Sequence, residues 1–140
     1  MLIAVNAGNS RVLLGGYEED GQVFSASIAT EPKLTRDDYA CKLQQVLLLY
    51  GVNVRRIHGG IVSSVVPSMV GVLEGALRLL GIRDVIEVSS GVKTGLNIRS
   101  EQPRQVGSDR VAAAVAARAK GKLPCVAITL GTATTFTALD

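Results

Sequence analysis

The stretch that decides the fold is LIAVNAGNSRVLLGG, residues 2–16. It contains an apolar run, a polar turn rich in Gly, Asn and Ser, and a second apolar run, which together predict a strand, a tight loop and a second strand. Such a turn can present backbone N–H groups to an anion, so it is a candidate phosphate loop. Ordinary hairpins also place Gly in their turns, and for this loop taken alone both interpretations stay open.

A second stretch near the end of the chain has the same pattern. Residues 125–139 read CVAITLGTATTFTAL, again an apolar run, a Gly/Thr turn and a β-branched run. Alignment of AVNAGNS with AITLGTA superposes Gly8 on Gly131 and Asn6 on Thr129. Two similar hairpins far apart in one chain favour a duplicated unit.

Composition limits the class of protein. The chain has 140 residues, 47% of them hydrophobic, which is typical of a folded domain. A net charge of +3, 4% aromatic residues and no basic run make nucleic acid an unexpected partner. Its apolar runs are too short to span a bilayer, and its two cysteines have no metal-like spacing. We therefore expect a cytoplasmic protein without a membrane partner.

Between the two hairpins, strand and helix patterns alternate. After a third strand at 22–29, Thr35 and Asp38 form a capping-box pattern before a helix that ends near Gly51. A β-branched run follows at 57–66, Pro67 begins a second helix, and a short strand is predicted at 84–88. This order predicts an α/β domain with a largely parallel sheet.

The segment at 89–106 has no clear period, and a long irregular segment in a compact domain is often functional. It leads to Gly107-Ser108-Asp109-Arg110, where Ser108 is expected to cap an Ala-rich helix. Asp109, in the first turn, is the best candidate general base, and Arg110 could bind a carboxylate or phosphate. An ordinary first-turn acid beside a solvated arginine explains the same residues, and local sequence alone favours that interpretation.

Taken together, AGNS, TRDDY, SSVVP, GVKTGL, GSDR and GTATTF, in this order and at these separations, resemble the type III pantothenate kinases. That family, also labelled Bvg accessory factors, belongs to the acetate kinase/Hsp70/actin superfamily. The resemblance implies a ribonuclease-H-like lobe at 1–121, with a mixed sheet flanked by helices, and the start of a second similar lobe at 122–140. It also implies ATP-dependent phosphorylation of pantothenate to 4'-phosphopantothenate, the first step of coenzyme A biosynthesis.

The resemblance also implies a set of site residues. Asp109 would be the catalytic base, and the substrate would contact Gly107, Ser108, Asp109, Arg110 and Ser100. The phosphate loops, with ATP between them, would be formed by Asn6, Ala7, Gly8, Asn9, Ser10, Arg11, Val12, Leu13, Gly131 and Thr132. Family members are homodimers that use Mg²⁺ and a monovalent cation, K⁺ or NH₄⁺.

The chain departs from the family pattern at both loops. The family opens with D-x-G-N-T, whose acid helps to hold the metal and phosphate, whereas this chain has Asn6, with Ser10 in place of Thr. The acid that helps to bind the monovalent cation before the second loop is replaced by Thr129, and a frequent substrate-facing Tyr is replaced by Ser100. A neutral oxygen is a weaker ligand for Mg²⁺ than a carboxylate, so metal binding through Asn6 is expected to be weak.

Three interpretations follow. The chain takes part in pantothenate phosphorylation, as a homodimer or in a heteromer with a second pantothenate kinase-like chain. Alternatively, it is a catalytically degenerate paralogue that serves as a binding or regulatory subunit, or it is a fragment of a longer chain. In each case we expect the isolated 140 residues to be weakly active or inactive.

Overall fold

The computed structural model describes residues 1–89, 91–131 and 133–140, with only the backbone described for Arg104. The chain forms two compact units, Met1–Glu87 and Val88–Asp140. Within the described residues, no helix has both the length and the apolar composition needed to cross a membrane.

The first unit contains five strands and two α-helices among its described elements. In chain order these are β1 (Leu2–Ala7), β2 (Arg11–Glu18), β3 (Gly21–Ala29), α1 (Arg36–Leu49), β4 (Gly59–Ser64), α2 (Pro67–Leu79) and β5 (Val85–Glu87), with a 3₁₀ turn at Val54–Arg56 before β4. The strand order is β3-β2-β1-β4-β5.

The sheet of the first unit is mixed. Strand β2 is antiparallel to both β1 and β3, whereas β1 is parallel to β4 and β4 is parallel to β5. The expectation of a largely parallel sheet is therefore wrong, because tight turns join the first three strands and a tight turn reverses the chain. The mixed sheet flanked by helices, which the family resemblance implies, is confirmed.

The core of the first unit lies between the sheet and the two helices. Alternate residues of β1 point inward, and α1 and α2 contribute residues at helical spacing. The fully buried members include Ile3, Val5, Tyr39, Leu43, Leu47, Met69, Leu73 and Leu77. Each large aliphatic side chain so buried stabilises the fold by about 1.5–3 kcal/mol relative to exposure.

The predicted ends of both helices are confirmed. The Thr35 hydroxyl accepts a hydrogen bond from the Asp38 amide, and the Asp38 carboxylate accepts one from the Thr35 amide, which completes the capping box. Gly51, with φ of +67°, follows the last residues of α1. Pro67 is the first residue of α2, where its missing N–H leaves no helical hydrogen bond unmade.

The second unit contains α3 (Ser108–Lys120) and a hairpin of β6 (Cys125–Leu130) and β7 (Thr134–Leu139), with a 3₁₀ turn at Pro103–Gln105. The expectation that Ser108 caps α3 is wrong. Gly107 is the N-cap, and its carbonyl accepts hydrogen bonds from the amides of Arg110 and Val111, both at 3.1 Å. Gly107 has an extended backbone, with φ of −59° and ψ of 148°, so the helix begins with Ser108 as its first residue.

The division into compact units falls after Glu87. The lobe boundary predicted after residue 121 concerns a larger duplicated fold and stays a prediction. Helix α3 packs against both β6 and β7, which explains why these three elements form one unit.

Candidate functional site

The turn between β1 and β2 is held by backbone hydrogen bonds. The Gly8 amide donates to the Arg11 carbonyl at 2.9 Å. Thr30, which follows β3, makes two further hydrogen bonds to the loop. Its hydroxyl donates to the Gly8 carbonyl at 2.8 Å and its amide donates to the Ser10 carbonyl at 3.0 Å. The loop's shape is therefore supported by its own hydrogen bonds, and such preorganisation reduces the entropy lost on binding.

The residues predicted for the first phosphate loop divide by exposure. Ala7 and Val12 are fully buried and anchor the two ends of the turn in the core. The residues that solvent reaches are Asn6, Gly8, Asn9, Ser10, Arg11 and Leu13. Arg11 is the only cation of this set, and it can attract a phosphate to the turn.

The turn between β6 and β7 has a related geometry. Asn6 and Thr129 each stand one residue before the end of their strand, as the alignment predicted. The turn joins the paired residues Ala7 and Val12 in the first hairpin and Leu130 and Thr134 in the second, so the second turn is one residue shorter. Thr132, predicted to bind ATP, lies outside the described residues.

Gly131 begins this second turn. A Cβ at that position would meet its nearest neighbour, the Ala133 carbonyl oxygen, at 3.7 Å, which is an ordinary contact. Crowding within the chain therefore does not require glycine here, and the close approach of a ligand remains a reason for it.

The two polar positions next to the turns carry neutral oxygens. Thr129 is half-buried and pairs across the hairpin with Thr135, whose hydroxyl is buried without a hydrogen-bond partner among the described groups. In the part of the chain that the structure describes, no three acidic, His or Cys side chains are grouped to hold a metal ion. Asn6 and Thr129 can each offer one oxygen ligand, but neither offers a negative charge.

The start of α3 places the candidate base. Asp109 lies in the first turn, half-buried, where the helix dipole favours a negative charge. A Cβ on Gly107 would lie only 2.6 Å from Asp109 Oδ1. The carboxylate therefore folds back over the α-carbon of Gly107, and glycine is the residue that leaves room for this position.

A cavity of about 590 Å³ opens beside α3 in the second unit. Residues 95–100 form one wall, a face of α3 forms the second, and the end of β7 forms the third. Both Ser100 and Arg110 line it, whereas Gly107, Ser108 and Asp109 are outside the lining. The structure thus brings two of the predicted substrate residues to one cavity and places the predicted base next to Arg110 in the chain.

Arg110 is half-buried at this cavity, and only part of its hydrogen-bonding capacity is used within the described residues. Its Nη2 donates to the Phe136 carbonyl at 3.4 Å, a long hydrogen bond. Its Nε is buried with no partner among the described residues. Because an unpaired buried donor is costly, the guanidinium is suited to an acceptor that a ligand brings, and a carboxylate matches its paired N–H groups best.

Sequence reasoning missed two residues of this unit, Thr135 and Arg118. Arg118 lines the cavity on the same helical face as Arg110, Val111 and Ala114. The spacing of i, i+4 and i+8 along that face could have indicated Arg118. No signal in the chain pointed to Thr135, because its environment depends on the pairing of β6 with β7.

Comparison with known proteins agrees with this geometry. The family model for type III pantothenate kinase matches residues 2–140. A type III pantothenate kinase of Syntrophotalea carbinolica is 40% identical over 136 residues, which cover 97% of this chain and 53% of that protein. Those of Geobacter sulfurreducens and Geotalea daltonii are each 36% identical over 137 residues, with the same coverage.

The chain thus spans about half the length of the curated relatives that it matches. The match includes both hairpins, the cavity wall and the start of α3. Because the family model covers almost the whole chain and the relatives exceed one third identity, this chain belongs to the type III pantothenate kinase family.

Proposed function

We propose that this chain contributes the acceptor half-site and the first phosphate loop of an ATP-dependent pantothenate kinase, in the first step of coenzyme A biosynthesis. The observation that carries the proposal is Arg110, whose buried Nε has no partner among the described residues and which lies at the edge of a cavity of about 590 Å³. Pantothenate brings a carboxylate to this guanidinium, and the cavity is large enough for a small elongated acid.

Asp109 is the proposed base for the primary hydroxyl of pantothenate. Its carboxylate stands at the start of α3, one residue before Arg110, and lies in the space that the missing side chain of Gly107 leaves open. In phosphoryl transfer the protein contributes mainly positioning and charge stabilisation, and a carboxylate at this place can orient the attacking hydroxyl. Gly107 and Ser108 support this turn, and Ser100 contacts the substrate from the opposite wall.

ATP is proposed to bind at the first turn. The residues proposed to contact its phosphates are Gly8, Asn9, Ser10 and Arg11. Thr30 holds this turn through two hydrogen bonds, and solvent reaches all four residues. Gly131 and Thr132 are proposed for the second turn. When bound, ATP supplies the phosphoryl group.

The described residues do not group charged ligands into a protein site for Mg²⁺. They group no three acidic, His or Cys side chains, and the positions next to the turns hold Asn6 and Thr129. Mg²⁺ in kinases takes ligands from substrate phosphates and water as well as from carboxylates. At these two positions the chain therefore offers a cation only neutral oxygens, and turnover by the isolated chain is expected to be weak.

The exposed face of the β6–β7 hairpin is the proposed contact for the rest of the enzyme. Successive residues of β6 and β7 point to opposite faces of the hairpin. The face away from α3 carries four large apolar side chains that are 58–80% exposed: Val126, Ile128, Leu130 and Phe136. The relatives are about twice as long as this chain. We place the other half of the family fold on this face, on the same or on a second polypeptide, in a homodimer or heteromer located in the cytoplasm.

The test is calorimetric titration of the purified chain with pantothenate and with ATP–Mg²⁺, separately and together. Pantothenate is expected to bind alone, and Arg110→Gln is expected to abolish the heat. Arg83→Gln, which removes an exposed arginine of the first unit, serves as the matched control and should leave binding unchanged.

Unaltered pantothenate binding by Arg110→Gln would overturn the acceptor assignment. If the chain binds ATP–Mg²⁺ but does not bind pantothenate, a nucleotide-binding regulatory subunit would be favoured instead. If pantothenate binds and turnover is low, Asn6→Asp is the next variant, with Asp109→Asn as the control that should remove any activity gained.

A further inference from the structure

The wall of the cavity formed by residues 95–100 is a strap with two alternating sides. Leu96 and Ile98 are half-buried, whereas Gly95, Asn97 and Arg99 between and beside them are exposed. All six residues of the strap, with either burial, line the cavity. The position of this strap therefore sets the width of the cavity and the distance from Ser100 to Arg110.

One end of the strap is fastened to α3. The Arg118 guanidinium donates through Nη1 to the Gly95 carbonyl. Gly95 has φ of +74°, in the left-handed region that favours glycine, and a Cβ there would stand 3.0 Å from Arg118 Nη1. Both the backbone conformation and the missing side chain of Gly95 thus suit the close approach of Arg118.

The other end of the strap is held less firmly. Arg99 Nη1 lies 3.6 Å from an Asp140 carboxylate oxygen, but both side chains are about three-quarters or more exposed. An ion pair so exposed contributes little, because water and salt screen it. The Arg118 contact is also exposed to solvent, but it is a direct hydrogen bond to the backbone of the strap, whereas the Arg99–Asp140 pair at 3.6 Å is longer than a hydrogen bond.

We infer that Arg118 is a positioning residue of the acceptor site: it fixes the strap at residues 95–100 and thereby sets the cavity that receives pantothenate. The substrate named here rests on the proposed function. Arg118 and Arg110 stand eight residues apart on one face of α3, about 12 Å along the helix axis, so the two arginines have separate roles at opposite ends of the cavity.

The attachment is tested first without any ligand, by limited proteolysis with chymotrypsin and mass-spectrometric measurement of cleavage after Leu96. That bond is half-buried, and its cleavage requires the strap to detach. Arg118→Gln should accelerate cleavage about three- to tenfold, the range expected for loss of one typical intramolecular hydrogen bond, because this one is exposed to solvent. Arg118→Lys, which keeps a donor and the charge, should be intermediate.

Lys120→Gln is the matched control, because it removes the same charge from the last turn of α3 at an exposed position. Equal cleavage rates for Arg118→Gln and Lys120→Gln would overturn the attachment. Gly95→Ala gives a second, independent probe and should also accelerate cleavage, since it disturbs the other partner of the same contact.

The effect on the site is then measured by titration. Arg118→Gln should weaken pantothenate binding about three- to tenfold and leave ATP–Mg²⁺ binding unchanged, with recovery in Arg118→Lys. Unchanged pantothenate affinity despite faster cleavage would overturn the positioning role. If the unmodified chain binds no pantothenate, the proposed function fails together with the substrate named here, and proteolysis alone decides whether Arg118 holds the strap.

Discussion

Replacement of Ile128 by Thr tests whether the outer face of the β6–β7 hairpin is free of partners in the isolated chain. Ile128 is 58% exposed and stands opposite Phe136, another exposed apolar residue, in the antiparallel register. Ile3 in β1 is fully buried and provides the matched comparison, because the same substitution in a strand keeps a β-branched side chain.

The two substitutions should differ severalfold in cost. Ile128 already leaves most of its surface in water, so its replacement by Thr should change the free energy of unfolding by only about 0.5 kcal/mol. At Ile3 the replacement removes about 2 kcal/mol of apolar burial, and the unpaired buried hydroxyl costs about 1–3 kcal/mol more. The free energy of unfolding should therefore fall by about 3–5 kcal/mol.

Urea denaturation provides the assay, followed by circular dichroism at 222 nm, since both units contain α-helix. Tyrosine fluorescence adds a probe of the first unit alone, because Tyr17, Tyr39 and Tyr50 all lie there and the chain has no Trp. A loss of 2 kcal/mol or more in Ile128→Thr would refute the reasoning, since it would mean that the hairpin face is covered in solution. Sedimentation velocity at several concentrations would then show whether a second copy covers it.

Three further predictions concern single positions. Gly107→Ala should displace the Asp109 carboxylate by about 0.5 Å, because the new Cβ would otherwise lie 2.6 Å from Oδ1; a crystal structure of the variant with the carboxylate unmoved would contradict this. Hydrogen bonds from the Thr35 hydroxyl, and then from its backbone amide, hold the pKa of Asp38 below its ordinary value of 3.8. The stabilisation by Asp38 is therefore present above pH 3.8 and is lost as the pH falls through the lower folded pKa. Thermal melts of Asp38→Asn should show a lower Tm than the unmodified chain at pH 7, and the difference should close at acidic pH; a constant difference would argue against it. Gly131→Ala should leave the Tm unchanged, because its Cβ finds an ordinary contact at 3.7 Å, but should weaken ATP binding about tenfold if a phosphate approaches the backbone there; calorimetry decides, and unaltered affinity would remove Gly131 from the site.

Local chemistry made several elements predictable. Thr35 and Asp38 are three residues apart and satisfy each other's backbone amides, so the start of α1 depends on neighbours in sequence alone. Pro67 begins α2 for a similar reason, because its ring already holds the helical φ. At Ser108 the same reasoning was wrong by one residue, since a Ser can stand at the N-cap or just inside the helix, and only the backbone angles of Gly107 separate the two.

The candidate site was predictable in its residue types but not in its grouping. Gly8, Asp109 and Arg110 stand in the short motifs AGNS and GSDR, which can be recognised in the sequence alone. That Ser100 and Arg110 share a cavity, and that Arg118 joins them, depends on how residues 95–100 pack against α3. No local pattern encodes that packing, because the contacts join residues up to 23 positions apart.

By itself, the sequence determined the two hairpins, the three helices, the first residues of α1 and α2, the family and the neutral side chains at Asn6 and Thr129. These features depend on hydrophobic period, turn chemistry and residue identity, which act over a few neighbouring residues. Only the tertiary structure decided the strand order of the sheet, that Arg110 Nε is buried without a partner among the described residues, and that Asp109 folds over Gly107. Each of these depends on contacts between backbone and side chains in three dimensions, where burial and close approach set the cost of every unpaired group.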